Sequence, residues 1–161
     1  AAGMAGLVGG QALDIEAEGQ GADLATVEYI HVRKTGALLL ASARVGAKLA
    51  GAKPSDLRRI SQFAKFLGLA FQIADDILDI QGQSAEGEGA ESGHKERRKA
   101  TYPSVVGLAQ AKERLRELLQ QSLKELAPFG PAAKPLAGVA TYVIGRAIDE
   151  QADRLIQETN L

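Results

Sequence analysis

Apolar residues recur along most of this chain at spacings of three and four, the period of a helix with one face turned to a core. From Asp23 or Thr26 to about Leu49, Ile30, Ala37, Ala41 and Val45 trace such a face, and Gly51 stops it. Pro54-Ser55-Asp56 then reads as an N-cap, and Leu57, Ile60, Ala64, Leu67, Phe71, Ala74 and Leu78 continue at helical spacing down to Gly82. A third stripe, Leu108, Ala111, Leu115, Leu118, Leu119, Leu123 and Leu126, runs to Pro128-Phe129-Gly130-Pro131, and a last helix is predicted from about Ala133 to Glu158. The opening AAGMAGLVGGQALDI is Ala-, Gly-, Leu- and Val-rich without Met at its start, and reads as a buried helix, the beginning of a fragment whose upstream partner helices are missing. No stretch alternates as a strand does. The pattern predicts one all-α helical bundle over residues 1–161, interrupted by a polar, Gly-rich, mobile loop from Gly82 to Arg98.

Within the second stripe, FQIADDILDI places Asp75, Asp76 and Asp79 in an otherwise apolar run. On a helix Asp75 and Asp79 share a face, with Asp76 beside them, and each like-charge pair costs about 0.2–0.5 kcal/mol before desolvation. A solvated helix end would tolerate such a cluster. Here, however, Gln72 lies three and four positions before Asp75 and Asp76, so a polar stripe runs inside a hydrophobic helix. Carboxylates so placed suit Mg²⁺, which joins one or two of them to substrate phosphates and keeps several waters. Lys34-Thr35 interrupts another apolar stretch; Lys34 offers a cation for a diphosphate, and Thr35 can bend its helix and expose a carbonyl. A snorkelling lysine beside a back-bonded threonine would look the same in sequence.

Composition changes the picture only by exclusion. With 45% hydrophobic and 24% charged residues and a net charge of −1, the chain is an ordinary globular domain with no global field for nucleic acid or acidic membranes. Its basic cluster KERRK lacks the interleaved aromatics of a nucleic-acid site. The absence of cysteine excludes disulfides and thiolate metal sites, and no apolar run is long enough for a membrane span or a signal peptide, which reads as a cytoplasmic protein. Glu28-x-x-His31, Glu91-x-x-His94 and the Asp14/Glu18 pair match parts of a di-iron bundle, but the second motif falls in the Gly-rich stretch and three clustered aspartates are not that pattern.

Taken in order, GLVGGQALDIEAEG, IHVRKTGALL, FQIADDILD and KATYPSVVGL resemble the trans-prenyl diphosphate synthases, particularly the bacterial farnesyl and geranylgeranyl types. The resemblance covers nearly the whole chain up to TYVIGR, but only the C-terminal half of such an enzyme, so the 161 residues alone are expected to be inactive. It implies an α-helical bundle in which two aspartate-rich motifs hold three Mg²⁺ on an allylic diphosphate that isopentenyl diphosphate attacks head to tail. By that likeness Asp75 is a direct Mg²⁺ ligand, while Asp76 and Asp79 act directly or through metal-bound water. Lys34 contacts the diphosphate, Thr35 helps stabilise the allylic cation, Gln72 lies beside the reacting carbons, and Gln11 and Asp14 line the cavity. The same resemblance implies that Lys99 closes over the diphosphate, and, because the family commonly dimerises through its helices, a homodimer is expected. Where the family carries Gly-Lys after the second motif, this chain reads EGEGAESG, and its tail from Ala147 is longer than the resemblance leads one to expect. The missing lysine supports an alternative, a non-catalytic prenyl-synthase-like subunit for assembly or regulation.

Overall fold

A computed structural model describes residues 1–85 and 100–148, and these contain helices and no strand. In chain order they are α1 (Leu7–Ala17), α2 (Leu24–His31), a π-helical turn (Val32–Gly36), α3 (Ala37–Leu49), α4 (Pro54–Ala85), α5 (Tyr102–Val106), α6 (Leu108–Leu126), a 3₁₀ stretch (Ala127–Ala133) and α7 (Lys134–Ile148). The long helix α4 is the axis of the bundle. Its Phe63, Leu67, Ala70, Ile73 and Ile77 are buried together with Leu115, Leu118, Leu119, Leu123 and Leu126 of α6 and Ala137, Ala140 and Ile144 of α7. Helix α3 and the π turn pack along the other side of α4.

Several boundaries move from their sequence-based positions for identifiable reasons. Asp23 caps α2 by accepting a hydrogen bond from Thr26 N–H at 2.8 Å, so the helix begins at Leu24. Pro54 is itself the first residue of α4, where its fixed φ and missing N–H fit; Ser55 and Asp56 therefore lie in the first turn and are not the cap. The same helix continues past Gly82 to Ala85, so the aspartates stand more than a turn inside it. Helix α1 is less covered than expected: Gly9 and Gly10 are buried, whereas Met4, Val8 and Ile15 are exposed. The last helix is described only as far as Ile148, and most of the expected loop and tail lie outside the described residues.

What joins α2 to α3 is a widened π turn rather than the regular helix expected, and it holds Lys34 and Thr35. Such turns are rare and occur often at functional sites. Two glycines on neighbouring helices let their backbones press against it. A Cβ on Gly68 of α4 would stand 2.7 Å from Gly36 Cα, and one on Gly10 of α1 would stand 2.8 Å from Lys34 Cα. On the outer side the Arg33 guanidinium lies 4.4 Å over the Tyr29 ring.

These contacts give a contrast in sign among glycine substitutions. Gly68→Ala and Gly10→Ala must displace backbone, and each is expected to destabilise the fold by about 1–3 kcal/mol. Gly46→Ala, in α3 with nothing within 4 Å of the added methyl, is expected to stabilise it by about 0.4–1 kcal/mol. Urea midpoints measure both; matching midpoints for Gly68→Ala and Gly46→Ala would remove the close approach as a constraint on this fold.

Candidate active site

The aspartate stretch of α4 faces two ways. Asp75 and Asp79, one turn apart, are exposed, whereas Asp76 between them is 0% exposed. Asp76 Oδ2 accepts the Tyr102 backbone N–H at 2.8 Å and lies 3.3 Å from His31 Nε2; its Oδ1 accepts from Gln72 Nε2 at 3.5 Å. A carboxylate taken out of water needs such partners, because its desolvation costs several kcal/mol. Tyr102 reaches this position through α5. Thr101 caps that short helix with a capping box, its hydroxyl accepting from Ser104 N–H while the Ser104 hydroxyl accepts from Thr101 N–H, and Pro103 follows Tyr102 into the first turn.

Gln72 connects the aspartates to the π turn. Its amide nitrogen also donates to Asp75 Oδ2 at 3.3 Å, and its Oε1 accepts the Thr35 hydroxyl at 2.9 Å. Thus Thr35, Gln72, Asp75 and Asp76 form one hydrogen-bonded group spanning two elements. Lys34, next to Thr35, points to α1 instead, where its Nζ donates to Asp14 Oδ2 at 2.6 Å. Its charge is therefore partnered before any ligand arrives. Gln11 is exposed on α1. Phe71, one turn before Asp75, and Leu38, four residues after Lys34, are also exposed. Lys99 lies outside the described residues.

Two residues named in sequence only as fragments of a di-iron motif have other partners here. His31 faces Asp76, stacks on Tyr102 with ring centroids 6.5 Å apart, and leaves its Nδ1 without a partner among the described residues. Glu28 accepts a hydrogen bond from the Tyr102 hydroxyl at 3.3 Å. Glu91 and His94 lie outside the described residues, and among the described ones no three His, Cys, Asp or Glu side chains converge as a metal site. For Mg²⁺ the donor set still fits in kind: Asp75 and Asp79 present hard carboxylate oxygens on one exposed helix face, and such ions commonly take one or two carboxylates and complete their shell with phosphates and water. A cavity of about 400 Å³ between α1 and α2, lined by residues such as Leu13, Thr26 and Ile30, includes none of these groups. Tyr102 is the member of the site that sequence reasoning missed. Its only sequence signal was its place in ATYP, and the contact with Asp76 spans 26 positions.

A family model described as polyprenyl synthetase matches residues 1–129, and the chain belongs to that family. A dimethylallyltranstransferase of Fischerella ambigua is 47% identical over 91% of this chain and 42% of its own length, and the farnesyl diphosphate synthase of Escherichia coli is 43% identical over 91% and 50%. Among solved structures, a FPP/GFPP synthase of Zymomonas mobilis superposes with a TM-score of 0.73 at 36% identity, over 88% of this chain and 46% of that one. A Helicobacter pylori geranyltransferase complexed with magnesium and isoprenyl diphosphate gives 0.67 at 26% identity, over 90% and 48%. The chain spans about half the length of the curated relatives it matches. None of the described helices is long and apolar enough to cross a membrane.

The Tyr102 environment yields a pH dependence. Burial pushes its phenol above the ordinary value of 10.0, the Glu28 carboxylate pushes it further, and Arg114 opposes both. Because the folded state then holds this proton more tightly than the unfolded chain does, the associated stability is present below the ordinary tyrosine range and is lost as pH rises through the folded value. Urea midpoints are therefore expected to fall more steeply at alkaline pH in the parent than in Tyr102→Phe. Parallel pH profiles would contradict this.

Proposed function

We propose that this chain forms part of a Mg²⁺-dependent trans-prenyltransferase that condenses isopentenyl diphosphate head to tail with an allylic diphosphate, giving a short-chain product of the farnesyl or geranylgeranyl type. The observation that carries the reading is the hydrogen-bonded group Thr35–Gln72–Asp75, which puts a threonine on a π turn beside a carboxylate face in a member of the polyprenyl synthetase family. The names of the relatives agree, as does the magnesium and isoprenyl diphosphate bound by the Helicobacter pylori structure. A cytoplasmic homodimer belongs to the same reading, with three Mg²⁺ in the complete enzyme.

Asp75 and Asp79, exposed on one face of α4, would hold the metal, which would supply positive charge against that building on the departing diphosphate. Lys34 adds a fixed cation there once it shares its proton donors between Asp14 and the phosphate oxygens. Lys99, just before Ala100 in the sequence, is assigned the same task. Thr35 opposes the positive charge on the allylic carbon with its oxygen lone pairs, and Gln72 holds that hydroxyl in place. Gln11 and Asp14 form the adjoining wall on α1, and apolar side chains such as Phe71 and Leu38 keep water from the cation.

In the full-length protein, Asp75→Asn is expected to lower kcat by orders of magnitude while thermal stability stays level or rises slightly, since a like-charge contact is relieved. An active Asp75→Asn enzyme would make the aspartate face a solvated helix surface. The 161-residue chain alone is expected to give no turnover of isopentenyl diphosphate with any allylic partner. A full-length protein that binds both substrates' relatives or assembles with another synthase, yet turns nothing over, would favour the non-catalytic subunit instead.

A further inference from the structure

Asp76 differs from its two neighbours in every respect that bears on metal binding. It is fully buried, and both its oxygens are turned to protein donors on α4, α5 and the end of α2. Its Oδ2 is engaged by the Tyr102 N–H and His31, and its Oδ1, which accepts from Gln72, has no exposed surface from which to reach a metal. Asp75 and Asp79 carry no such restraint.

The direction of the hydrogen bonds gives Asp76 another task. An ionised carboxylate only accepts, so the Gln72 amide must turn its NH₂ toward Asp75 and Asp76 and its carbonyl toward Thr35. Thr35 has one hydroxyl proton, and donating it to that carbonyl leaves its lone pairs for whatever lies on the other side. If Gln72 were reversed, its NH₂ would take a Thr35 lone pair, and the hydroxyl proton would point away from Gln72. Asp75 helps to fix this orientation, but it is the exposed carboxylate assigned to metal. Asp76 is the acceptor that remains when Asp75's lone pairs are engaged.

We propose that Asp76 is a positioning residue, held by His31 and the Tyr102 backbone, that sets the orientation of the Gln72 amide and through it the Thr35 hydroxyl, leaving metal binding to Asp75 and Asp79. Its chemical purpose rests on the prenyl-transfer reading; the geometry does not. His31 belongs to the device as its buried support: it approaches Asp76 from α2 and stacks on the ring whose backbone N–H Asp76 accepts.

The test uses Asp76→Asn and His31→Gln in the full-length protein, with the Gln72 side-chain amide followed by NMR under ¹⁵N-glutamine labelling. Asn at 76 can donate to the Gln72 carbonyl, so the Gln72 NH₂ resonances are expected to move, whereas Mg²⁺ affinity, titrated with inorganic diphosphate present, stays within about twofold of the parent because no ligand is lost. His31→Gln is expected to move the same resonances by less. In kinetics, Asp76→Asn should lower kcat with little change in the allylic-substrate KM, and the effect should be much smaller when Thr35→Ala is already present. An unmoved Gln72 amide, a Mg²⁺ affinity weakened about tenfold or more, or failure of both variants to fold would overturn the proposal, the last by making Asp76 a scaffold residue. A parent protein without prenyl-transfer activity would overturn the proposed function alone, since the amide and metal measurements still decide the role of Asp76.

Discussion

The close approach of three backbones at the π turn is the constraint on which the site depends. Gly36 can meet α4 because Gly68 has no side chain, and Lys34 can meet α1 because Gly10 has none. Brought this near, Thr35 reaches Gln72 and Lys34 reaches Asp14 with ordinary hydrogen-bond lengths. A side chain at either glycine would push the neighbouring backbone away and change the geometry of both hydrogen bonds. Small residues at the crossing thus convert a packing contact into a chemical one.

A second layer of order surrounds this crossing. Asp76 ties α4 to α5 and α2, and the Tyr102 hydroxyl continues the connection to Glu28 on α2. Each of these groups is polar and largely buried, and each finds its partner on a different element. Such networks specify one arrangement of helices, since any slip along α4 would leave a charge without donors. The apolar core between α4, α6 and α7 stabilises the bundle on its far side.

Much of this was legible in the sequence, and the gaps have physical causes. The leucine stripe of α6 predicted its buried face because one side of a regular helix meets the core, with Leu115, Leu118, Leu119, Leu123 and Leu126 all buried. The contacts from Gln72 to Asp75 and Asp76 followed from spacing alone. The inward turn of Asp76 did not, because adjacent positions on a helix differ in burial only when a partner covers one of them, and that partner is a backbone N–H with no side-chain signature. The pairing of Lys34 with Asp14 is equally silent, since it joins residues on separate helices. The π turn escaped for a different reason: a bond shifted from i−4 to i−5 alters backbone connectivity, not residue type.

That turn also fixes the phase of everything after it. An α-helix advances about 100° per residue, and a single π turn absorbs one extra residue without breaking the rod. Helix α2 therefore runs on through the turn into α3 with one extra residue, and that offset sets which face α3 shows to α4. Loss of one residue from Val32–Gly36 would leave both helices intact while rotating α3 away from its partner and Gly36 away from Gly68. At this place the length of the chain carries as much information as its lettering.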